Sequence, residues 1–245
     1  MVSVKSYWQI KELTVLRFNV KQNCLCSTSR MSFIKVVAVA FAVYIGSCVY
    51  FERVRTDFPD KSIQPNEDTL DNTQRQTTIQ TAITNLLIGA VLFAIMSRWV
   101  SLDKSCTLVF MEILKLAVML FAADTMFYWS HRMLHIPEIY RVAHAQHHSH
   151  HEPIAWTSLY VHPIEFIVAF VGIFAVPLLL FRMHPLTATL FLSMIMLSLT
   201  SSHSGLKCGV YQIFDATHHD LHHQRRRGNY GSDVGIWDKL CGTRL

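Results

Sequence analysis

Five apolar runs, separated by polar segments, organise the chain. Phe33 to Phe51 is almost unbroken, and its one charge, Lys35, lies near an end where its aliphatic stem can snorkel. The run is long enough to cross a hydrocarbon core, which predicts a spanning helix. Ala82 to Val100 predicts a second and Thr107 to Tyr128 a third. The third carries Glu112, Lys115 and Asp124, which are costly against lipid and so predict that this helix packs inward on protein. Ile164 to Phe181 and Leu186 to Thr200 are parted only by Arg182-Met183-His184-Pro185, so an antiparallel helical hairpin is expected.

The polar segments divide the chain further. Glu52 to Thr81 is charged and holds Pro59 and Pro65, which reads as an exposed connection. The N-terminal stretch sets Lys5, Lys11, Arg17, Lys21 and Arg30 against one acid, Glu12, ahead of Met31. A targeting segment, an extension before an alternative start and a basic membrane flank all fit, and the flank is favoured. Residues 1–32 are thus a basic flank, 33–106 the first membrane helices with their polar connection, and 107–245 the remaining domain. The expected fold is all-α, an integral membrane bundle of about four to five helices with a histidine-rich helical cap.

Composition sharpens this picture. At 51% hydrophobic and 16% charged, the 245 residues are too apolar for a disordered or fibrous chain. The net charge of +5 is spread along the chain, without the dense basic face that a phosphate backbone requires, so no nucleic-acid partner is expected. Six cysteines form no C-x-x-C pair and imply no disulfide framework. None of the 14 histidines precedes His131, and all but His184 fall within 131–163 and 201–245. If both hairpin arms cross the membrane, or both re-enter, these two segments meet on one face.

Three histidine clusters recur at helical spacing: His131-x-x-x-His135, His144-x-x-His147-His148 and His219-x-x-His222-His223. Residues three or four apart share a helix face, so each cluster presents imidazoles in one direction. Imidazole suits Fe, Zn, Cu or Ni, and eight converging rings exceed what one tetrahedral ion accepts, which implies two metals. A loose histidine tract is the alternative, but such a tract needs no repeated register. His162 and His203 border the hairpin on the same side and are additional candidate ligands, whereas His150, His151, His184 and His218 need no metal role. Asp124, Glu165, Asp220 and Asp238 are placed to hold a ligand's second ring nitrogen, or else to serve as helix caps or surface acids. Arg225-Arg226-Arg227 reads as a solvated interfacial run, and Trp129, Tyr128, Trp156, Tyr160 and Trp237 as headgroup-level aromatics.

These motifs resemble the fatty acid hydroxylase/sterol desaturase superfamily. The resemblance is carried by Asp124-Thr-Met-Phe-Tyr-Trp-Ser-His131-Arg-Met-Leu-His135, His144-Ala-Gln-His147-His148, and His162-Pro-Ile-Glu165. His203-Ser-Gly, His218-His219-Asp220-Leu-His222-His223, Asn229-Tyr-Gly and Trp237-Asp-Lys-Leu-Cys-Gly-Thr243 continue it in the family's order, so that it covers roughly residues 107–243. It implies a multi-pass membrane protein, usually of the endoplasmic reticulum, whose cytosol-facing di-iron centre uses O2 on a lipid C–H bond. It also implies His131, His135, His144, His147, His148, His219, His222 and His223 as ligands, and strengthens His162 and His203.

The implied activity is a hydroxylase or desaturase of a sterol, sphingoid base or fatty acyl lipid, a non-haem monooxygenase acting in lipid biosynthesis. The chain holds no G-x-G-x-x-G loop, so electrons from NAD(P)H are expected through a cytochrome b5-type or reductase partner, with room for a homo-oligomer. Two rivals remain. A zinc-binding membrane transporter or sensor would place ionisable groups deep within spanning segments, whereas the clusters lie outside them. A catalytically inactive scaffold of the same family would not need the full motif set.

Overall fold

The structure is a computed structural model that describes residues 24–25, 32–64, 70–103, 105–207, 216–232 and 234–245. The basic flank expected over 1–32 lies outside the described residues, apart from Ser32 and a two-residue strand β1 (Cys24–Leu25), which pairs antiparallel with β2 (Thr107–Leu108). Otherwise the described fold is all-α, as the apolar runs predict.

Helix α1 (Phe33–Asp57) extends past its apolar run, its polar last turn carrying an Arg53–Asp57 ion pair of 2.7 Å. Helix α2 (Asn72–Met96) starts well before the predicted Ala82. The cause is a capping box: Asp71 accepts from the Gln74 N–H at 2.8 Å, and the Gln74 side chain accepts from the Asp71 N–H at 3.1 Å. The connection expected to be exposed is therefore helical at both ends, and its described middle docks onto the C-terminal half. The Ile63 N–H donates to the Gly205 carbonyl at 2.9 Å, and the Lys207 N–H to that of Lys61 at 2.8 Å.

Helix α3 (Val109–Leu134) packs against the hairpin formed by α4 (Pro163–Leu180) and α5 (Pro185–Ser202). Both hairpin arms start alike, with Pro at the first position and a histidine ring, His162 or His184, accepting from a backbone N–H. A π-turn at Phe170–Ala175 widens α4 where Gly172 meets Met126 of α3. Glu112 is 2% exposed and fully engaged, accepting from Lys115 at 2.6 Å, Thr187 Oγ1 at 2.6 Å and the His184 N–H at 2.9 Å. Glu112 of α3 thus faces protein with its polar partners in place, while Phe110 and Ile113 of the same helix are exposed.

Helix α1 lies along α5, joined within the apolar interface by Ser47 and Thr200 hydroxyls 2.8 Å apart. Phe93 of α2 anchors the core edge-on to Phe33, Phe170 and Phe174. Ile34, Val49, Leu87, Val91, Phe110 and Ile113 stay exposed, an apolar belt suited to acyl chains. Among the described residues four helices, α1, α2, α4 and α5, are long and apolar enough to cross a membrane; α3, expected as a further spanning helix from the run Thr107 to Tyr128, is not one of them. This is an all-α membrane protein.

One irregular segment, 136–162, links α3 to α4 through a π-turn at Tyr140–His144 and 3₁₀ turns at His147–Ser149 and Ala155–Leu159; Ile136 and Val142 are exposed, whereas the last turn is buried against α1, α2 and α5. Asn85 of α2 holds it by donating to the carbonyls of Leu159 at 2.9 Å and Val161 at 3.0 Å. Beyond α5, helices α6 (Thr217–Arg225) and α7 (Ile236–Leu240) complete the cap.

Candidate metal centre

The end of α3, the irregular segment, the end of α5 and helix α6 bring nine histidines together in two adjacent groups. One comprises His131, His135, His144, His148 and His222, the other His147, His203, His219 and His223, and donor atoms within each lie within 4.8 Å of one another. The third sequence cluster sits on a regular helix, α6, and in the first His131 lies in the last turn of α3 with His135 as its C-cap. His144 ends a π-turn and His147 and His148 occupy a 3₁₀ turn. Neighbouring rings diverge in either setting: His147 and His148 of the 3₁₀ turn serve different groups, and so do His222 and His223 of regular α6.

Ring tautomers follow from the partners of Nδ1. His131 Nδ1 donates to the Tyr230 carbonyl at 2.8 Å, His222 Nδ1 to that of Gly228 at 2.7 Å, and His203 Nδ1 to that of Leu199 at 2.8 Å. His223 Nδ1 faces the His150 carbonyl at 3.3 Å, the backbone of Arg226 serves His135, and Glu165 Oε1 takes the His144 Nδ1 proton at 2.8 Å. A carbonyl only accepts, so His131, His203 and His222 carry their proton on Nδ1 and leave Nε2 as a bare lone pair, and His144 does the same when it donates to an ionised Glu165. His131 and His144 Nε2 are nevertheless 3.1 Å apart, and His135 and His222 Nε2 3.2 Å apart. With the proton of each ring on Nδ1, neither contact is a hydrogen bond. Lone pairs converging on one point are stabilised by a cation there.

The spacing supports the same conclusion. His144, His135, His222 and His148 Nε2 form a closed quadrilateral with sides of 3.1, 3.2, 3.1 and 3.0 Å. Metal–nitrogen bonds of about 2.1 Å at right angles put adjacent nitrogens about 3.0 Å apart. In the second group His203 Nε2 is 3.2 Å from that of His147 and 3.0 Å from that of His219, while the buried His223 Nε2 has no hydrogen-bond partner. Burial, reinforced by mutual repulsion among the rings, depresses the basicity of the whole set, His135 to about 3, and burial brings His203 to about 4. At neutral pH every ring is therefore in its neutral, metal-ligating form.

The eight ligands expected from the sequence all join these groups, and so does His203. His162 does not: its Nδ1 accepts from the Ile164 N–H at 3.3 Å and caps α4. Of the acids, Glu165 grips His144 as expected. Asp124 instead faces an apolar cavity beside Ser232, and Asp220 accepts from Gln64 at 3.0 Å and Gln224 at 2.7 Å. Asp238 acts one step removed, accepting from the N–H groups of Tyr230 at 2.8 Å and Gly231 at 2.7 Å, in the loop whose carbonyl holds His131. His150 is buried against Thr78 at 2.9 Å, and His151 contacts Arg226 at 2.8 Å. The carbonyl of Leu199 carries no sequence signal, and that of Tyr230 only its place in the Asn229-Tyr-Gly motif. Gly228 is a further exception in part: its φ of +66° favours glycine, and a Cβ there would lie 2.7 Å from the Thr243 carbonyl.

A small cavity of about 60 Å³ borders both groups, touching His131, His144, His147, His203 and His219, with Phe127, Phe170 and Phe174 in its apolar wall. A larger cavity of about 360 Å³ between α3, α5 and the segment before α7 shares Phe127, Ile173, Leu199 and His219 with it.

The sequence profile of the fatty acid hydroxylase family matches residues 116–243, which include all nine converging histidines. The chain belongs to this family. Fatty acid hydroxylase domain-containing protein 2 of Homo sapiens is 35% identical over 133 residues, 54% of this chain and 38% of that protein. Methylsterol monooxygenase 1 of Rattus norvegicus is 32% identical over 49% of this chain and 43% of its own length. A fatty acid hydroxylase of Mycosarcoma maydis is 36% identical over 51% of this chain and 32% of its own. The chain thus spans less than half the length of the curated relatives it matches. No solved structure matches it. As a fatty acid hydroxylase family member, the protein has a histidine set that fits a metal cofactor, with the ligands supplied by the matched region.

Proposed function

We propose that this protein is a membrane-bound, O2-dependent di-iron oxidoreductase that hydroxylates a C–H bond of a lipid. The observation that carries the reading is the pair of bare-nitrogen histidine groups flanking one apolar cavity. Five donors in one group exceed a tetrahedral zinc site and suit iron, and the family's methylsterol monooxygenases and fatty acid hydroxylases point to lipid oxidation. When bound, iron supplies the reductive use of O2 that an unactivated C–H bond demands and no side chain provides. One oxygen atom enters the C–H bond and the other leaves as water, consuming two electrons and two protons.

The chain's own residues do the positioning. Glu165 and the carbonyls of Tyr230, Gly228 and Leu199 fix the ligand rings. Phe127, Phe170 and Phe174 exclude water and place an apolar carbon between the two groups. The substrate is a sterol, sphingoid base or fatty acyl lipid reaching the centre from the bilayer. Electrons come from NAD(P)H through a cytochrome b5-type or reductase partner on the histidine face, which is cytosolic in the endoplasmic reticulum.

Purified protein should hold two iron equivalents per chain. His147→Ala and His222→Ala, which strike different groups, should each lower iron content and abolish lipid-dependent O2 consumption. Full activity in either variant, or zinc alone with no O2 consumption, overturns the reading. Product mass distinguishes hydroxylation, one added oxygen, from desaturation, two lost hydrogens.

A further inference from the structure

The larger cavity has a mostly apolar lining in which Asp124 is the acid, beside the polar groups of Ser198, Ser202, His219 and Ser232. Leu120, Ala123, Met194, Ile195 and Val234 form much of its wall, and Asp124 stands among them with Ser232 beside its carboxyl group. One Asp124 carboxyl oxygen is buried and has no hydrogen-bond partner among the described residues. A buried acceptor in apolar surroundings is unfavourable unless something pairs it, and in a cavity of ligand size that something is a ligand. Asp124 lies two turns before His131 on α3, about 10 Å of axial rise. Phe127, which stacks on His131 with ring centroids 5.1 Å apart, lines both this cavity and the smaller one over the histidines, so the two are adjacent.

We propose that Asp124 is a specificity-determining residue that accepts a hydrogen bond from the head of the lipid, a hydroxyl or an ammonium group. The proposal rests on the lipid-oxidation reading above and narrows its substrate class. A free fatty acid has no donor to offer at neutral pH, and its carboxylate would meet the Asp124 carboxylate as a like charge. A lipid with a donor head satisfies the orphan oxygen while its apolar body fills the cavity. The carbon that reaches the histidines then lies roughly 10 Å from that head, the axial spacing of Asp124 and His131.

The test is equilibrium binding of radiolabelled cholesterol, sphinganine and palmitate to the full-length, metal-loaded protein in detergent, with iron content and O2 consumption measured in parallel. At least one of cholesterol and sphinganine should bind about tenfold more tightly than palmitate, the worth of one buried hydrogen bond. Asp124→Leu should erase that preference. Asp124→Asn keeps an acceptor but loses the charge and gains a donor: it should retain a hydroxyl lipid, weaken an ammonium lipid and strengthen palmitate. These shifts in Asp124→Asn decide the matter if Asp124→Leu fails to fold. Palmitate binding as tightly as both donor-headed lipids, no binding of either, or unchanged preferences in the variants overturns the proposal. Loss of iron or O2 consumption in the unaltered protein marks a failure of the oxidation reading instead.

Discussion

At the scale of single residues, the centre depends on which proton sits on which ring nitrogen. His144 donates from Nδ1 to Glu165 Oε1 at 2.8 Å, within a site where both groups are nearly excluded from solvent. Removing the acceptor frees the ring to rotate or to protonate Nε2, which removes the lone pair from the metal. Glu165→Ala should therefore lower metal affinity about 10- to 100-fold while the helical content is kept. Metal retained after dialysis against a graded chelator series measures this, and undiminished retention refutes the role of Glu165. Here the sequence was informative: Glu165 follows a candidate ligand and was expected to hold an imidazole. For Asp124 the same reasoning misled, because seven residues of helical spacing fix a side of α3 but not what that side faces. The side faces the larger cavity.

At the scale of elements, α3 and α4 approach closely at one point, where a Cβ added to Gly172 would lie 3.3 Å from Met126 Cβ. A bulky side chain there must push the helices apart or distort the π-turn. Gly172→Leu should cost about 1–3 kcal/mol. Gly46 of α1 has nothing within 4 Å of its would-be Cβ. Gly46→Ala should stabilise α1 by up to about 1 kcal/mol, since alanine loses less backbone entropy in a helix interior. Thermal unfolding in detergent should thus move Tm in opposite directions for the two, and equal shifts refute the packing account. Neither glycine could be sorted from sequence, because both lie inside apolar runs of the same character. The runs did show where the membrane helices lie and that a hairpin joins the last two. The early start of α2 was missed because Asp71 and Gln74 belong to a segment whose prolines and charges suggested an open connection.

At the scale of the whole molecule, folding gathers nine neutral imidazoles into one buried volume, which ties stability to pH and to metal. An unfolded histidine gains a proton below about 6.5, whereas His203 and His135 in the folded protein resist protonation to about 4 and about 3. Between these limits the unfolded chain binds more protons. Stability of the metal-free protein should then be fully present above pH 6.5 and fall steadily as pH drops toward 4. Restoring metal at neutral pH should raise Tm, since the ion binds the folded state alone. Chelator-treated protein followed by thermal unfolding across this pH range tests both, and a flat profile would falsify the burial of neutral rings.

The sequence by itself determined the membrane character of the chain, its hairpin and eight of the nine converging histidines. Those features are written in local patterns: apolar length against the thickness of a bilayer, and imidazoles three or four residues apart. Tertiary structure alone decided that His203 joins the centre and His162 caps a helix, although both flank the hairpin in equivalent ways. It also decided how nine ligands divide into two groups, since His147 and His148 are neighbours in the chain yet serve different ones. The physical reason is the same in each case. A ring's role is set by what its two nitrogens meet: the carbonyls of Gly228 and Leu199 lie close in sequence to His222 and His203, but that of Tyr230 and opposing Nε2 atoms such as those of His148 and His222 come from distant segments that only the packed helices bring together.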